Sequence, residues 1–177
     1  MNSLTTGAHA WLPYLPMDIP EGNTTLEVAQ GELEAGLLNL NSQEQVRLVP
    51  EGTGEGYAIT REGEALVIRG GEAGILYGTY QALAAIARGE DPQTPYTAPH
   101  YPLRMLNHWD NMDGSVERGY AGRSFFFRDN QLDFDEARIH RYARMLASVG
   151  INAICPNNVN VKPPMDQLIT DTYLPDL

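Results

Sequence analysis

Residues 104–127 read RMLNHWDNMDGSVERGYAGRSFFF, and the parsing of this stretch decides the fold. Leu103 to Leu106 is a short, mostly apolar run that reads as a strand. It opens into a long polar loop bearing His108, Trp109, Asp110, Asn111, Asp113, Glu117 and Arg118. Carboxylate, amide and guanidinium groups meet hydroxyls, and an indole offers a flat apolar face. Together they suit a pyranose ring better than a phosphate or a metal ion.

Downstream, Ile139, Tyr142, Ala143, Leu146 and Val149 recur at helical spacing, which predicts a helix over about 135–148 with that buried face. Asp133 or Asp135 can cap it, and Gly150 ends it. Ile151–Cys155 is a second short apolar run. Strand, helix, strand at this spacing is a βαβ unit with parallel strands. Residues 170–177 read as the start of a further helix. In such units ligands bind beyond the carboxyl ends of the strands. The loop from Asn107 to about Leu132 and the segment Pro156–Met165 are therefore expected side by side. Two strands and one helix cannot bury a parallel sheet on both faces, so this half is expected to be an incomplete domain.

Upstream, Asp91–Pro102 carries Pro92, Pro95, Pro99 and Pro102 and reads as an irregular boundary. Before it, Gly70–Arg88 predicts a helix with Leu76, Tyr80, Leu83 and Ala87 on one stripe and Gly89 as its stop. Tyr57–Thr60 and Ala65–Ile68 flank Arg61-Glu62-Gly63-Glu64 as a hairpin, and Val46–Val49 is a further strand. Thr24 or Thr25 can cap a first helix running to about Asn41, although Gly31 and Gly36 weaken it. Gly52, Gly54 and Gly56 precede a strand, where a dinucleotide fingerprint would follow one, so they read as a plain flexible loop. Trp11, Leu12, Tyr14 and Leu15 read as core anchors of an extended lead-in. Residues 1–99 are expected to form an α+β domain of mixed sheet with two helices, and residues 100–177 the incomplete second domain.

The 177 residues carry 12 basic and 23 acidic side chains, a net charge of −11, which excludes a nucleic-acid backbone as partner. A hydrophobic content of 42% supports a real core. The single cysteine, Cys155, excludes an intrachain disulfide. No run approaches the ~18 apolar residues of a membrane span. The first residues lack a basic segment and an apolar core, so a cytoplasmic location is expected.

Asp110, Asp113 and Glu117 could supply a catalytic carboxylate pair, but loop carboxylates more often cap turns or pair with Arg104, Arg118, Arg123 or Arg128. Placing Gly114 at the invariant glycine of a calcium loop would put Trp109 first and Tyr120 last, where neither can ligate. His9, His100, His108 and His140 form no metal-binding spacing. No metal and no cofactor is expected. Phe125, Phe126 and Phe127 read as packing residues.

LNHWDNMDGSVERGYAGRSFF at 106–126 resembles the signature of family 67 glycoside hydrolases, the α-glucuronidases of xylan breakdown. GGEAGILYGTYQAL at 70–83 resembles the last helix of that family's N-terminal domain, a domain similar to those preceding the barrel in some hexosaminidases. GINAICPNNVNVKPP at 150–164 resembles its second barrel strand and loop. Met112 stands where a leucine is expected, and Cys155-Pro156 is a more constrained strand end than the family's usual one.

The resemblance implies a (β/α)8 barrel that removes glucuronic acid, or its 4-O-methyl ether, from xylo-oligosaccharides with inversion. Inversion needs a general acid and a base that activates water on the opposite face. In the family these groups come from later barrel strands, so no catalytic residue is assigned here and the chain alone is expected to be inactive. Trp109 resembles the tryptophan beside the glucuronate ring. Val159, with Asn158 beside it, resembles the residue that accommodates the 4-O-methyl group, where a small dry pocket suits a methyl ether. His108, Asp110, Asn111, Glu117 and Arg118 match the motif as site lining. The expected partner is a xylo-oligosaccharide bearing glucuronic acid, without nucleic acid or membrane, and the parent is expected to be a homodimer. Two alternatives remain: a non-catalytic carbohydrate-binding or assembly module, and one half of a split glycosidase.

Overall fold

The computed structural model describes residues 24–156 and 163–173. Trp11, Leu12, Tyr14, Leu15, Asn158, Val159 and residues 174–177 lie outside that set. The chain divides into two compact units, Met1–Pro102 with His140–Gly150, and Leu103–Ile139 with Ile151–Leu177.

The first unit is built on a four-stranded mixed sheet. Its strands are β1 (Gln45–Pro50), β2 (Tyr57–Glu62), β3 (Ala65–Gly70) and β4 (Thr94–Thr97), in the spatial order β1-β3-β2-β4. β3 pairs parallel to β1 and antiparallel to β2, the predicted hairpin. Two helices cover it, α1 (Thr25–Asn39) and α2 (Glu72–Arg88). Thr24 and Glu27 cap α1 reciprocally: the Thr24 hydroxyl accepts from the Glu27 amide at 3.2 Å, and the Glu27 carboxylate accepts from the Thr24 amide at 2.9 Å. Leu66 and Ile68 of β3 pack with Ile59 and Ala82, and Leu33 packs on Leu83 beside them.

Gly36, which argues against a helix by propensity, is required by packing. A Cβ there would lie 2.5 Å from a Leu83 methyl, so glycine lets α1 approach α2 closely. The glycine loop is likewise not free. A Cβ on Gly74 would meet the Gly56 carbonyl oxygen at 2.0 Å, so the loop backbone lies directly on the start of α2.

Three expectations are corrected in this unit. The proline-rich boundary contains β4, an edge strand whose pairing with β2 is irregular, a position where Pro95 costs no ladder bond. The buried face of α2 centres on Ile75, Thr79, Ala82 and Leu83, with Leu76 and Ala87 only partly buried. On the third helix, α3 (Glu136–Ser148), Ala143 and Val149 are exposed, and Arg144 is buried beside Leu146.

Arg144 explains that shift. Its Nη2 donates to Glu32 Oε2 at 2.6 Å, its Nε donates to Glu32 Oε1, and the Tyr80 hydroxyl donates to Glu32 Oε1 at 2.9 Å. Glu32 is 0% exposed. A buried carboxylate is tolerable only with partners of this kind, and the bidentate fork supplies them.

The second unit holds β5 (Met105–Asn107) and β8 (Ala153–Cys155), which pair in parallel as the βαβ reading predicts. Met105, Leu106 and Ile154 are all more than a third exposed. A hairpin of β6 (Phe127–Arg128) and β7 (Gln131–Leu132) lies between them in sequence. Its turn residues, Asp129 and Asn130, both have positive φ, as a two-residue hairpin turn requires. The helix expected at 170–177 does not begin at 170–173, which is turn; a single 3-10 turn, Met165–Gln167, precedes it.

Candidate functional site

Pairing of β5 with β8 continues past the strands. The His108 amide donates to the Cys155 carbonyl at 2.7 Å and the Asp110 amide to the Pro156 carbonyl at 3.1 Å. The Trp109 loop therefore leaves the sheet from the same carboxyl end as Cys155-Pro156. The following residues, with Asn158 and Val159, lie outside the described set.

The loop is folded by its own polar groups. Asp110 is 3% exposed, and its Oδ2 accepts from the Ser124 hydroxyl at 2.7 Å and the Phe125 amide at 2.6 Å. Ser124 Oγ in turn accepts from the amides of Phe126 and Phe127 at 3.1 and 2.9 Å. Asp110 thus closes the loop on itself. The Asn111 side-chain amide donates to Ser115 Oγ at 3.0 Å and to the Glu117 carbonyl at 2.8 Å. The Glu117 amide donates to the Trp109 carbonyl at 2.8 Å. Those bonds hold Glu117 at φ 59, a left-handed conformation that a residue with a side chain adopts only when its surroundings fix it.

Apolar packing supports the same arrangement from behind. Phe126 and Phe127 are buried, as expected of packing residues, Phe125 is only partly buried, and Met112 is buried as well. The His108 ring meets Phe126 edge-on at 5.0 Å, and Arg138 lies over the Phe125 ring at 4.0 Å. Burial pushes the His108 pKa below its ordinary value, against the opposing pull of Asp110, whose Oδ1 is 3.7 Å from Nδ1. The Glu117 carboxylate accepts a hydrogen bond from the Tyr120 phenol and raises that group's pKa.

Trp109 remains 40% exposed, a large indole presented rather than packed away. It lines a hollow of about 260 Å³ with Asn107, His108, Asp110, Val116 and Glu117. Asn111, Glu117 and Arg118 line a second hollow of about 420 Å³ with Asp113, Asn130 and Met165. Glu117 belongs to both. Seven residues singled out in the sequence, Asp113 among them, therefore gather at two adjoining hollows. Ser124, Asn130 and Met165 were not singled out; only the Asp-Asn turn carried a local signal, the preference of those residues for positive φ. Among the described residues no three His, Cys, Asp or Glu side chains could hold a metal ion. Donors, acceptors and one exposed aromatic face equip the surface to bind a polyhydroxylated ring.

The glycosyl hydrolase family 67 middle domain matches residues 86–177. A protein named probable alpha-glucuronidase A from Aspergillus fumigatus is 48% identical over 116 residues, covering 64% of this chain and 14% of the relative. Alpha-glucuronidase A from Aspergillus tubingensis is 48% identical over 114 residues, covering 63% of this chain and 14% of the relative. Probable alpha-glucuronidase A from Neosartorya fischeri is 44% identical over 140 residues, covering 78% and 16%. The chain thus spans only about a seventh of the length of these curated relatives. Among solved structures, a GH138 enzyme targeting pectin rhamnogalacturonan II has a similar fold, with TM-score 0.55 and 17% identity over 87% of this chain and 21% of that one.

Proposed function

Because the chain belongs to glycosyl hydrolase family 67, we propose that it forms part of an α-glucuronidase that cleaves the α-1,2 link of glucuronic acid, or its 4-O-methyl ether, to xylo-oligosaccharides with inversion. The observation that carries this is Trp109: an indole 40% exposed beside a hollow, on a loop prefolded by buried hydrogen bonds. Its face takes the apolar side of the uronate ring, and His108 and Glu117 meet the hydroxyls. Asp110 and Asn111 act mainly by fixing the loop. Val159, with Asn158, accommodates the 4-O-methyl group.

In this reading β5, α3 and β8 are the first strand–helix–strand of a (β/α)8 barrel. The exposed apolar side chains of β5 and β8 would be covered by further barrel strands. The first unit is an accessory domain of the kind that precedes the barrel in some hexosaminidases. The acid and base come from later strands, so this chain supplies a binding wall and no proton-transfer group.

Kinetics with aldouronic acids test the proposal. The full-length protein should release glucuronic acid, and the 177-residue chain alone should release none. Trp109→Ala in the full-length protein should raise KM about tenfold, roughly 1.4 kcal/mol of lost binding. Unchanged KM and kcat would remove Trp109 from the site.

A further inference from the structure

The first unit contains a hollow that the functional reading leaves unused. It measures about 320 Å³, within the range of small-ligand sites, and every residue lining it belongs to that unit. β2, α2, the end of β4 and the end of α3 contribute its walls. Three of the wall residues are tyrosines, each fixed differently. The Tyr77 hydroxyl donates to Glu55 Oε1 at 3.0 Å, and the Tyr80 hydroxyl to Glu32 Oε1 at 2.9 Å. Tyr57 is placed by packing: a Cβ on Gly78 would lie 3.0 Å from its ring, so glycine lets the ring rest against α2. The pairing of β2 with β4 is irregular between Tyr57 and Ile59, a kind of distortion that re-aims a side chain.

The lining selects the chemistry of a ligand. No charged side chain lines the hollow among the described residues. Glu55 and Glu32, which stand behind two of the tyrosines, already accept from their hydroxyls, and Glu32 also pairs with Arg144. An anion entering the hollow would meet no cation in its lining, and a cation no carboxylate, so either would lose hydration without a partner. The polar groups of the lining are neutral and able both to donate and to accept. They are the Tyr57 phenol, the Gln81 amide and the Thr97 hydroxyl, and none of these side chains makes a hydrogen bond among the described residues. Sugar hydroxyls match that combination, and tyrosine rings with Ala84, Ala98 and Pro99 give apolar surface for the C–H face of a pyranose. A wholly apolar ligand would cover the three polar groups without bonding them.

We propose that this hollow is a second carbohydrate site, which anchors an uncharged run of a polysaccharide chain to the first unit and takes no part in bond cleavage. The inference rests on the functional reading above only for the class of ligand, a chain of uncharged pyranoses. The site itself stands on residues of the first unit, away from the loop that carries Trp109 in sequence.

Fluorine NMR of the full-length protein labelled with 3-fluorotyrosine reads the site directly. The Tyr57 and Tyr77 resonances are identified by their loss in Tyr57→Phe and Tyr77→Phe. Xylohexaose, which is uncharged, should shift both, and glucuronic acid should shift neither. Gln81→Ala should weaken the xylohexaose titration about fivefold, the effect of one lost hydrogen bond. Gln81 is exposed and alanine suits a helix, so this replacement leaves the fold intact. Trp109→Ala should leave the tyrosine titration unchanged. No xylohexaose shift at either tyrosine up to the solubility limit, equal shifts from glucuronic acid, or a titration indifferent to Gln81→Ala would each overturn the site. Loss of the shifts in Trp109→Ala would also overturn it, since the tyrosines would then only report binding elsewhere. The KM of Trp109→Ala tests the functional reading by itself, so either inference can fail while the other stands.

Discussion

The mixed sheet with its two helices and the loop from Asn107 to Leu132 are held by opposite means. The sheet buries Leu66, Ile68, Ile75 and Leu83 completely and admits one ionic group, the Glu32–Arg144 pair with Tyr80. The loop buries few apolar side chains, chiefly Met112, Phe126 and Phe127, and takes its shape from Asp110, Asn111 and Ser124. Apolar burial is non-directional and tolerates repacking, so it suits a support. Hydrogen bonds are directional, so they suit a surface whose indole and carboxylate must stay in place.

The largest effect should come from the ionic group in the apolar unit. Glu32→Ala leaves a buried guanidinium without its carboxylate and should cost about 3–5 kcal/mol, read from urea unfolding. Replacing Glu32 and Arg144 together by leucine and methionine should recover most of that loss. If Glu32→Ala were nearly neutral, the contrast between the two regions would fail on its apolar side.

Next is the loop's own anchor. Asp110→Ala strands the Ser124 hydroxyl and the Phe125 amide and should destabilise the loop locally by about 1–3 kcal/mol. Amide hydrogen exchange should accelerate at Phe125, Phe126 and Phe127 and stay unchanged at Leu66 to Ile68. Equal acceleration in both regions would mean that they unfold as one.

The smallest effect is a pH dependence confined to the loop. Burial lowers the His108 pKa below 6.5, its ordinary value. The folded loop therefore holds His108 neutral at a pH where the unfolded chain already binds a proton. The resulting stability is complete above the unfolded value and declines as pH falls through the folded one. The protection factor at Phe126, which is corrected for the intrinsic pH dependence of amide exchange, should fall over that interval, and His108→Gln should flatten the response.

Much of this contrast was legible in the sequence, but unequally. Helical and strand periodicity located α1, β1, the β2–β3 hairpin, α2 and α3 because each buries one face, whereas β5 and β8 were legible only as short apolar runs. β4 was hidden by its prolines, which forbid a central strand but not an edge. The burial of Arg144 was illegible because its partner, Glu32, lies 112 residues away and no local pattern encodes the pair. The candidate site was legible as residue types, with Trp109, Glu117 and Arg118 in one polar run. Its shape was not, since it depends on side-chain bonds such as Asp110 to Ser124 across 14 residues. Gly36 misled for the same reason: its helical cost is local, and its gain is a contact with Leu83.

The loop's status as a prefolded wall for a uronate ring is tested most directly by NMR on the complete protein with 4-O-methylglucuronic acid. Intermolecular Overhauser contacts should link the pyranose ring protons to the Trp109 indole, and the Phe125–Phe127 amides should be equally protected with and without the sugar. A bound sugar with no contact to Trp109, or loop protection that arises only on binding, would contradict the account.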